Sequence, residues 1–391
     1  MSPRSEGLAR AGLAAGSALL ATVLGLAIVA TYVAGATPPL AHGRPNVELQ
    51  DFVRDADLGW RPPPLLRWKV RPHPGAPAVT FFATNRHGFR ADEPEWPPRG
   101  EVMVLGDSFV QGYFLSQEET IPAALARRVG GHVYNLGVGG YSTDQEYTLL
   151  TQVLPRARAR HLVVVFCIND LPYLDRDSAW EVAKPVYRIR EGLVSFDELV
   201  PTPTDEMARP VLPEPSVGAP GATLDRCCFA EDAGPLPARA ARRLRGYLAD
   251  LARPQALLQN VREDVRWTRR PHYAYQLSED SYRSPRALDR KWDLAFQFLR
   301  RIRDVAHAHG ATTTVYFVPE VAQIAGATPG PFLPQARFRE LCAASSLRCV
   351  EPADEFLAEH GRRPLFFADD GHLSPAGAEL AAAQIAREIT R

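Results

Sequence analysis

From residue 101 onward, short apolar runs alternate with segments whose apolar residues recur at helical spacing. "EVMVLG" (101–106) is an apolar run stopped by glycine, the pattern of a strand buried on both faces. "EETIPAALARRVGG" has helical spacing with a glycine stop, and "HVYNLG" reads as a second strand. "STDQEYTLLTQVLPRAR" follows as a helix with Ser or Thr available as N-cap, and "HLVVVFCIND" reads as a third strand. Further on, "SPRALDRKWDLAFQFLRRIRDVAHAHG" sets Leu288, Trp292, Ala295, Leu299, Ile302 and Val305 on one stripe, with Ser284 as cap, Pro285 at the first helical position and Gly310 as stop. "TTTVYFVP" and "LRCVEP" supply a fourth and fifth strand, with a helix around 334–343 between them. The chain closes with "DDGHLSPAGAELAAAQIAREITR", a polar turn and a helix with Ser374 as cap and Pro375 at its start.

Strand–helix alternation of this kind predicts an α/β domain, a five-stranded parallel sheet with helices on both faces. Sites in such sheets form outside the carboxyl ends of the strands. Three of the strands end in polar or glycine-rich turns, GDS, NLGVGG and IND.

Two stretches break the pattern. Residues 171–280 read as an insertion in the domain spanning 99–391: a Pro-rich loop ("VPTPTDEMARPVLPEPSVGAPGATLD") and then a helical stretch beginning at "ARAARRLRGYLADLARPQ". Residues 37–98 are rich in Pro and turns, with one short strand in "AVTFFATN", and read as a linker and extended flap packing on the domain.

The N-terminus carries a different signal. Residues 11–36, "AGLAAGSALLATVLGLAIVATYVAGA", hold no charge and are long enough at about 1.5 Å per residue to cross a hydrocarbon core of about 30 Å. The rival is a cleavable signal peptide, because Ala34-Gly35-Ala36 fits a small-residue cleavage site. Residues 1–36 thus read as a cytoplasmic tip and a transmembrane anchor, which puts the rest outside the cytoplasm.

Composition narrows the partners. Forty-five basic residues balance forty-five acidic ones, so the chain has no overall electrostatic footprint for nucleic acid. Five cysteines are an odd number, leaving at least one free or paired between chains; Cys342 and Cys349 are near enough in sequence to close a short loop if the geometry allows. No CxxC or HExxH occurs, and His307 and His309 point to different faces of a helix, so no metal site is expected.

The strand ends supply the chemistry. Ser108 follows the first strand at the start of a helix, where N–H groups and the positive dipole end favour a developing negative charge. His372 lies in a polar turn with Asp369 three residues earlier and able to fold back on its imidazole, and Asn169 ends the third strand. Gly137, Gly139 and Gly140 let backbone N–H groups approach a ligand. A nucleophile, a proton acceptor, its orienting partner and oxyanion donors are what a hydrolytic serine requires. Each piece alone has a plainer reading as a turn or cap, and their combination at one sheet edge raises the catalytic one.

These residues resemble the SGNH, or GDSL, hydrolases. Gly106-Asp107-Ser108 looks like the nucleophile block, Asn135-x-Gly137-x-x-Gly140 the glycine block, Asn169-Asp170 the asparagine block and Asp369-x-x-His372 the histidine block. The resemblance covers 101–170 and about 310–391. It implies a three-layer, flavodoxin-like fold with strand order 2-1-3-4-5 and hydrolysis or transfer of acyl groups at esters, with no cofactor. Carried over, Ser108 is the nucleophile, His372 the base and Asp369 its partner, with the N–H groups of Ser108 and Gly140 and the Asn169 amide as oxyanion hole. Gly140 is taken over Gly139 from its spacing to Asn135, and Cys167-Ile168 stands where the family often has glycine. "DADLGWRP", "NRHGFRADE" and "DQEY" resemble a membrane-anchored bacterial subgroup. The substrate class it suggests is an O-acetyl ester of a polysaccharide or small molecule. The alternatives are an O-acyltransferase using the same site and a non-catalytic, membrane-tethered scaffold of envelope assembly.

Overall fold

The computed structural model describes residues 16–17, 19–32, 52–70, 80–90, 99–112, 115–179, 182–207, 223–226, 236–249, several between 251 and 261, 288–324, 332–367 and 371–390. The chain divides into two compact units, residues 1–43 with 228–272, and 44–227 with 273–391.

The larger unit is built on a parallel five-stranded sheet. Its strands are β5 (Arg99–Gly106), β6 (Val133–Gly137), β7 (Arg158–Phe166), β13 (Thr312–Phe317) and β14 (Arg348–Val350), numbered after four flap strands given below. They lie side by side as β6-β5-β7-β13-β14, which counted along the chain is 2-1-3-4-5. The pleat sends alternate residues to opposite faces. Met103, Leu105, Leu162, Val164, Phe166, Val315 and Phe317 join one core with the helices α3 (Thr143–Val153) and α5 (Asp289–Ala308), which pack together. On the other face α2 (Ile121–Val129) packs with α8 (Pro375–Ile389), and Tyr316 from the sheet hydrogen-bonds Gln384 of α8. The result is three layers.

Local signals account for most helix ends. Thr120 caps α2 through Ala123 N–H, Gly130 closes it at φ +69, and Ser374 caps α8 through Gly377 N–H. The α5 stripe behaves as expected: Trp292, Ala295, Leu299 and Ile302 are buried, with Leu288 and Val305 packed against them. The helix begins at Asp289, with Leu288 in a left-handed cap at φ 59; the expected start at Ser284 and Pro285 lies outside the described residues.

Four flap strands precede the sheet: β1 (Val53–Asp55) and β2 (Gly59–Arg61) pair antiparallel, as do β3 (Arg67–Val70) and β4 (Thr80–Ala83). The break in alternation after residue 171 holds more order than its sequence suggested. β8 (Ser178–Ala179) pairs with β9 (Val182–Ala183), and β10 (Val186–Arg190) with β11 (Leu193–Val200). The second hairpin turns on Glu191 and Gly192, both at positive φ (53 and 83), the conformation that a tight two-residue hairpin demands. The Pro-rich stretch supplies β12 (Thr223–Arg226), which runs parallel to β3.

Flap and insertion together cover α3. Its residues 143–150 are buried all round, charged ones included. Lys184, fully buried, pairs with Asp144; Gln145 Nε2 donates to Leu58 O at 2.7 Å; Thr148 Oγ1 meets Tyr187 Oη at 2.8 Å.

In the smaller unit, residues 19–32 are helical, and α4 (Leu236–Ala249) falls in the stretch read as helix. Among the described residues no helix is long and apolar enough to cross a membrane. The transmembrane helix expected over 11–36 is therefore not found among the described residues, of which 16–17 and 19–32 are helical. Positions 11–15, 18 and 33–36 of that expected span lie outside the described residues. Cys342 in α6 (Leu333–Ser345) and Cys349 in β14 form a disulfide, and Cys167 is buried and free.

Candidate active site

Strand register brings the chemistry to one edge. Gly106, the last residue of β5, lies beside Gly137 of β6 and Val165 of β7, and Phe166 lies beside Phe317 of β13. The turns leaving these strands therefore emerge together, and Val138 N–H donates to Gly106 O at 3.1 Å across the first of them. Close packing requires the glycines. A Cβ on Gly137 would stand 2.2 Å from Gln111 N, and one on Gly106 would stand 2.5 Å from Val110 Cγ2.

The one-turn helix α1 (Ser108–Gln111), which falls between β5 and α2, starts the site. Asp107 is its N-cap, accepting from Phe109 N–H at 3.0 Å, and Ser108 is its first residue, so the Ser108 N–H sits at the helix start. Gly112 ends the helix at φ 65. Asn135 anchors the next turn, donating Nδ2–H to Val110 O at 3.0 Å and accepting Gly137 N–H at 2.9 Å.

His372 arrives from the far end of the chain. Phe367 N–H donates to His372 O at 2.9 Å and Ser374 N–H to Leu365 O at 2.9 Å, closing a turn with Gly371 at φ +89. The imidazole Nε2 lies 2.8 Å from Ser108 Oγ, both residues being buried and 264 positions apart. The ring also packs against Phe109, with centroids 5.0 Å apart. Asp369 lies among residues 368–370, outside the described residues.

Asn169 sits in a 3₁₀ turn (Ile168–Tyr173) after β7 and donates Nδ2–H to Asp107 Oδ2 at 2.8 Å. One amide hydrogen is thereby used, and an amide carries two. The bulkier Cys167 does not turn Asn169 away from the nucleophile turn. Its own N–H is held by Asp170 Oδ2 at 3.3 Å, and burial pushes its thiol well above the ordinary range, so it is a packed thiol and not a reactive one. Of the two glycines in question, Gly139 has its N–H committed to Gln111 Oε1 at 3.0 Å, and Gly140 takes the left-handed φ of +77.

In the sequence Asp107 stands only as part of the Gly106-Asp107-Ser108 block, with no role of its own; its carboxylate joins the helix start to Asn169. Burial raises its pKa, opposed by the Asn169 and Phe109 hydrogen bonds and by charge on His372. Behind it lie further buried carboxyls. Among the described residues, both oxygens of Glu146 and one each of Asp144 and Asp170 have no hydrogen-bond partner. Burial and mutual repulsion raise Glu146 and Asp170 well above the ordinary range. Among the described residues no group of three or more His, Cys, Asp or Glu is placed to hold a metal ion. A cavity of about 370 Å³ opens beside the glycine turn, lined by Leu58, Arg61, Phe89, Val138 and Tyr141 among others; Ser108, Asn169 and His372 are not part of its wall.

A buried serine hydroxyl on an imidazole nitrogen, at the carboxyl end of a central parallel strand, sets the class: this is a serine hydrolase. Residues 104–254 match the GDSL-like Lipase/Acylhydrolase family model. Over those residues the chain is similar to the SGNH/GDSL hydrolases. Among solved structures it is similar to AlinE4, an SGNH-hydrolase family esterase, at 13% identity and a TM-score of 0.31, over 76% of this chain and 97% of that one. A sequence search of curated proteins finds no match.

Proposed function

We propose that this hydrolase cleaves O-acetyl esters, carried by carbohydrate of the cell envelope or by extracellular polysaccharide, through Ser108. The observation that carries the reading of the site is the 2.8 Å approach of Ser108 Oγ to His372 Nε2. Ser108 Oγ attacks the acyl carbonyl carbon while its proton passes to His372 Nε2, with Asp369 as the orienting partner of the ring. The oxyanion is held by the Ser108 and Gly140 N–H groups and the free amide hydrogen of Asn169. His372 returns the proton to the departing sugar oxygen, and water, activated by the same ring, releases acetate from the acyl-enzyme. The carbohydrate ester rests on the resemblance of the flanking motifs and on the long insertion. The extracytoplasmic location rests on the apolar N-terminal run, read as a tether or signal, and on the Cys342–Cys349 disulfide, a bond favoured in oxidising compartments.

The test is a serine-directed fluorophosphonate probe on wild type and Ser108→Ala, alongside turnover of an activated acetyl ester. Wild-type labelling that disappears in Ser108→Ala, with kcat down by at least about 10³-fold, is expected. Equal labelling of the two proteins, or labelling of neither, overturns the reading. Acetate release from an acetylated polysaccharide by the wild type tests the substrate class.

A further inference from the structure

Gly139 and Gly140 share one peptide unit, which contributes the carbonyl of the first and the N–H of the second. In a planar trans peptide these two groups point in opposite directions, so whatever holds the carbonyl also aims the N–H. The carbonyl is held from the flap. Trp60, in β2, is fully buried, and its indole Nε1–H donates to Gly139 O at 3.0 Å, across 79 positions of sequence.

We propose that Trp60 is a positioning residue for the oxyanion hole: its indole N–H fixes the Gly139–Gly140 peptide plane so that the Gly140 N–H meets the developing oxyanion. The proposal rests on the reading of Gly140 as a donor given above, and it gives the flap a part in the reaction.

A glycine pair needs such a hold. Without side chains the peptide between two glycines reorients at little steric cost, and the positive φ of Gly140 (+77) belongs to a region glycine enters as readily as the usual one. The structure restrains it from three sides. Gly139 N–H is tied to Gln111 Oε1 at 3.0 Å, which connects the turn to the helix bearing Ser108. The Tyr141 hydroxyl donates to Trp60 O, so the residue after Gly140 grips the backbone of the residue whose side chain grips Gly139. The Trp60 and Tyr141 rings meet edge to face at 5.7 Å and 66°. Arg90, also from the flap and buried, completes the frame by donating to the Gln111 carbonyl at 2.9 Å and to the Gly112 carbonyl. A donor on the carbonyl also polarises the peptide, and its N–H becomes a stronger donor to negative charge.

Such a role acts on the transition state more than on substrate binding, because charge on the oxygen develops only there. Trp60→Phe, which keeps an aromatic ring and removes the N–H, is expected to lower kcat on p-nitrophenyl acetate by about 10- to 100-fold, leave KM within about twofold and slow fluorophosphonate labelling in proportion. Gln145→Leu is the control. It breaks another flap attachment, Gln145 Nε2 to Leu58 O at 2.7 Å, and the long Ser142 N–H to Gln145 Oε1 bond at 3.4 Å, but leaves every bond to the Gly139–Gly140 peptide in place, and is expected to lower the melting temperature with kcat unchanged. Wild-type kcat in Trp60→Phe overturns the proposal, and so does an equal kcat loss in the two variants. Where Trp60→Phe is not recovered folded, Tyr141→Phe carries the test: a several-fold kcat loss at constant KM supports the proposal and unchanged kcat overturns it. Persistent turnover in Ser108→Ala is a separate outcome; it removes the reading of the site itself, whatever Trp60→Phe does.

Discussion

Asn169, just beyond β7, gives one hydrogen of its amide to Asp107, just beyond the neighbouring strand β5, at 2.8 Å. Asp107 holds the helix start with its other oxygen, so a single buried carboxylate sets both the nucleophile turn and the amide beside it. Asp107→Asn can accept with only one oxygen and leaves one of the two donors facing a nitrogen. It is expected to lower kcat by at least about 10-fold with little change in KM, and to cost about 1 kcal/mol of stability. Steady-state kinetics and urea unfolding check the two parts.

Glu146 gives a stability change whose sign depends on pH. It is buried with no hydrogen-bond partner on either oxygen among the described residues, and burial, then the charges of Asp107 and Asp144, raise its pKa well above the usual carboxylate range. A raised folded-state pKa means that the native protein holds this proton more tightly than the unfolded chain does. The resulting stability is full below the ordinary carboxylate pKa and is lost as pH rises through the raised one. Glu146→Gln, which resembles the protonated acid at every pH, is expected to match the wild type near pH 4. At pH 8 it should exceed it by a few degrees in melting temperature, since each tenfold difference in proton affinity between the folded and unfolded chain is worth about 1.4 kcal/mol. Thermal melts across this range check it, and a difference that does not grow with pH counts against the account.

Lys184 and Asp144 form an ion pair with both side chains essentially out of water. Breaking it from one side leaves a buried charge alone, so Lys184→Met is expected to cost about 3–5 kcal/mol. Lys184→Met combined with Asp144→Leu, which removes both charges, should recover most of that loss. Chemical denaturation of the two variants separates the pair's Coulombic role from simple packing.

The Cys342–Cys349 disulfide closes a loop with a sequence separation of 7, joining α6 to the edge strand β14. A ring this small restrains the unfolded chain modestly, so Cys342→Ser with Cys349→Ser is expected to cost at most about 2–3 kcal/mol. The kcat should be unchanged, because neither cysteine meets the site residues. Melting curves with and without reductant should show the same drop for the wild type and none for the variant.

Much of the framework is legible in the chain itself. Strand and helix alternate as read from 101 to 170 and from 312 to 389, because a strand buried on both faces leaves an unbroken apolar run and a capped helix leaves Thr120, Ser374 and Gly130 at its ends. The hairpin of β10 and β11 escapes such a reading, since its turn depends on Glu191 entering a conformation that non-glycine residues seldom adopt. The anchor expected over 11–36 falls partly outside the described residues, and among those described no helix is long and apolar enough to cross a membrane. The polar composition of α3 gives no hint that Asp144, Gln145 and Glu146 are buried; that follows from Lys184, Leu58 and the flap closing over them.

Sequence alone determined the layered α/β plan and put Ser108 and Asn169 at strand ends and His372 in the turn before the last helix, because strand period, helix caps and glycine turns act over a few neighbouring residues. Tertiary structure decided which of them touch. The Ser108–His372 contact spans 264 positions, the Asp107–Asn169 bond 62 and the Trp60–Gly139 bond 79, and no local pattern records a hydrogen bond whose partners meet only when the strands align and the flap folds over. The same burial that makes those bonds strong also raises the carboxyls of Asp107, Glu146 and Asp170, since their desolvation exists only once the chain is closed around them.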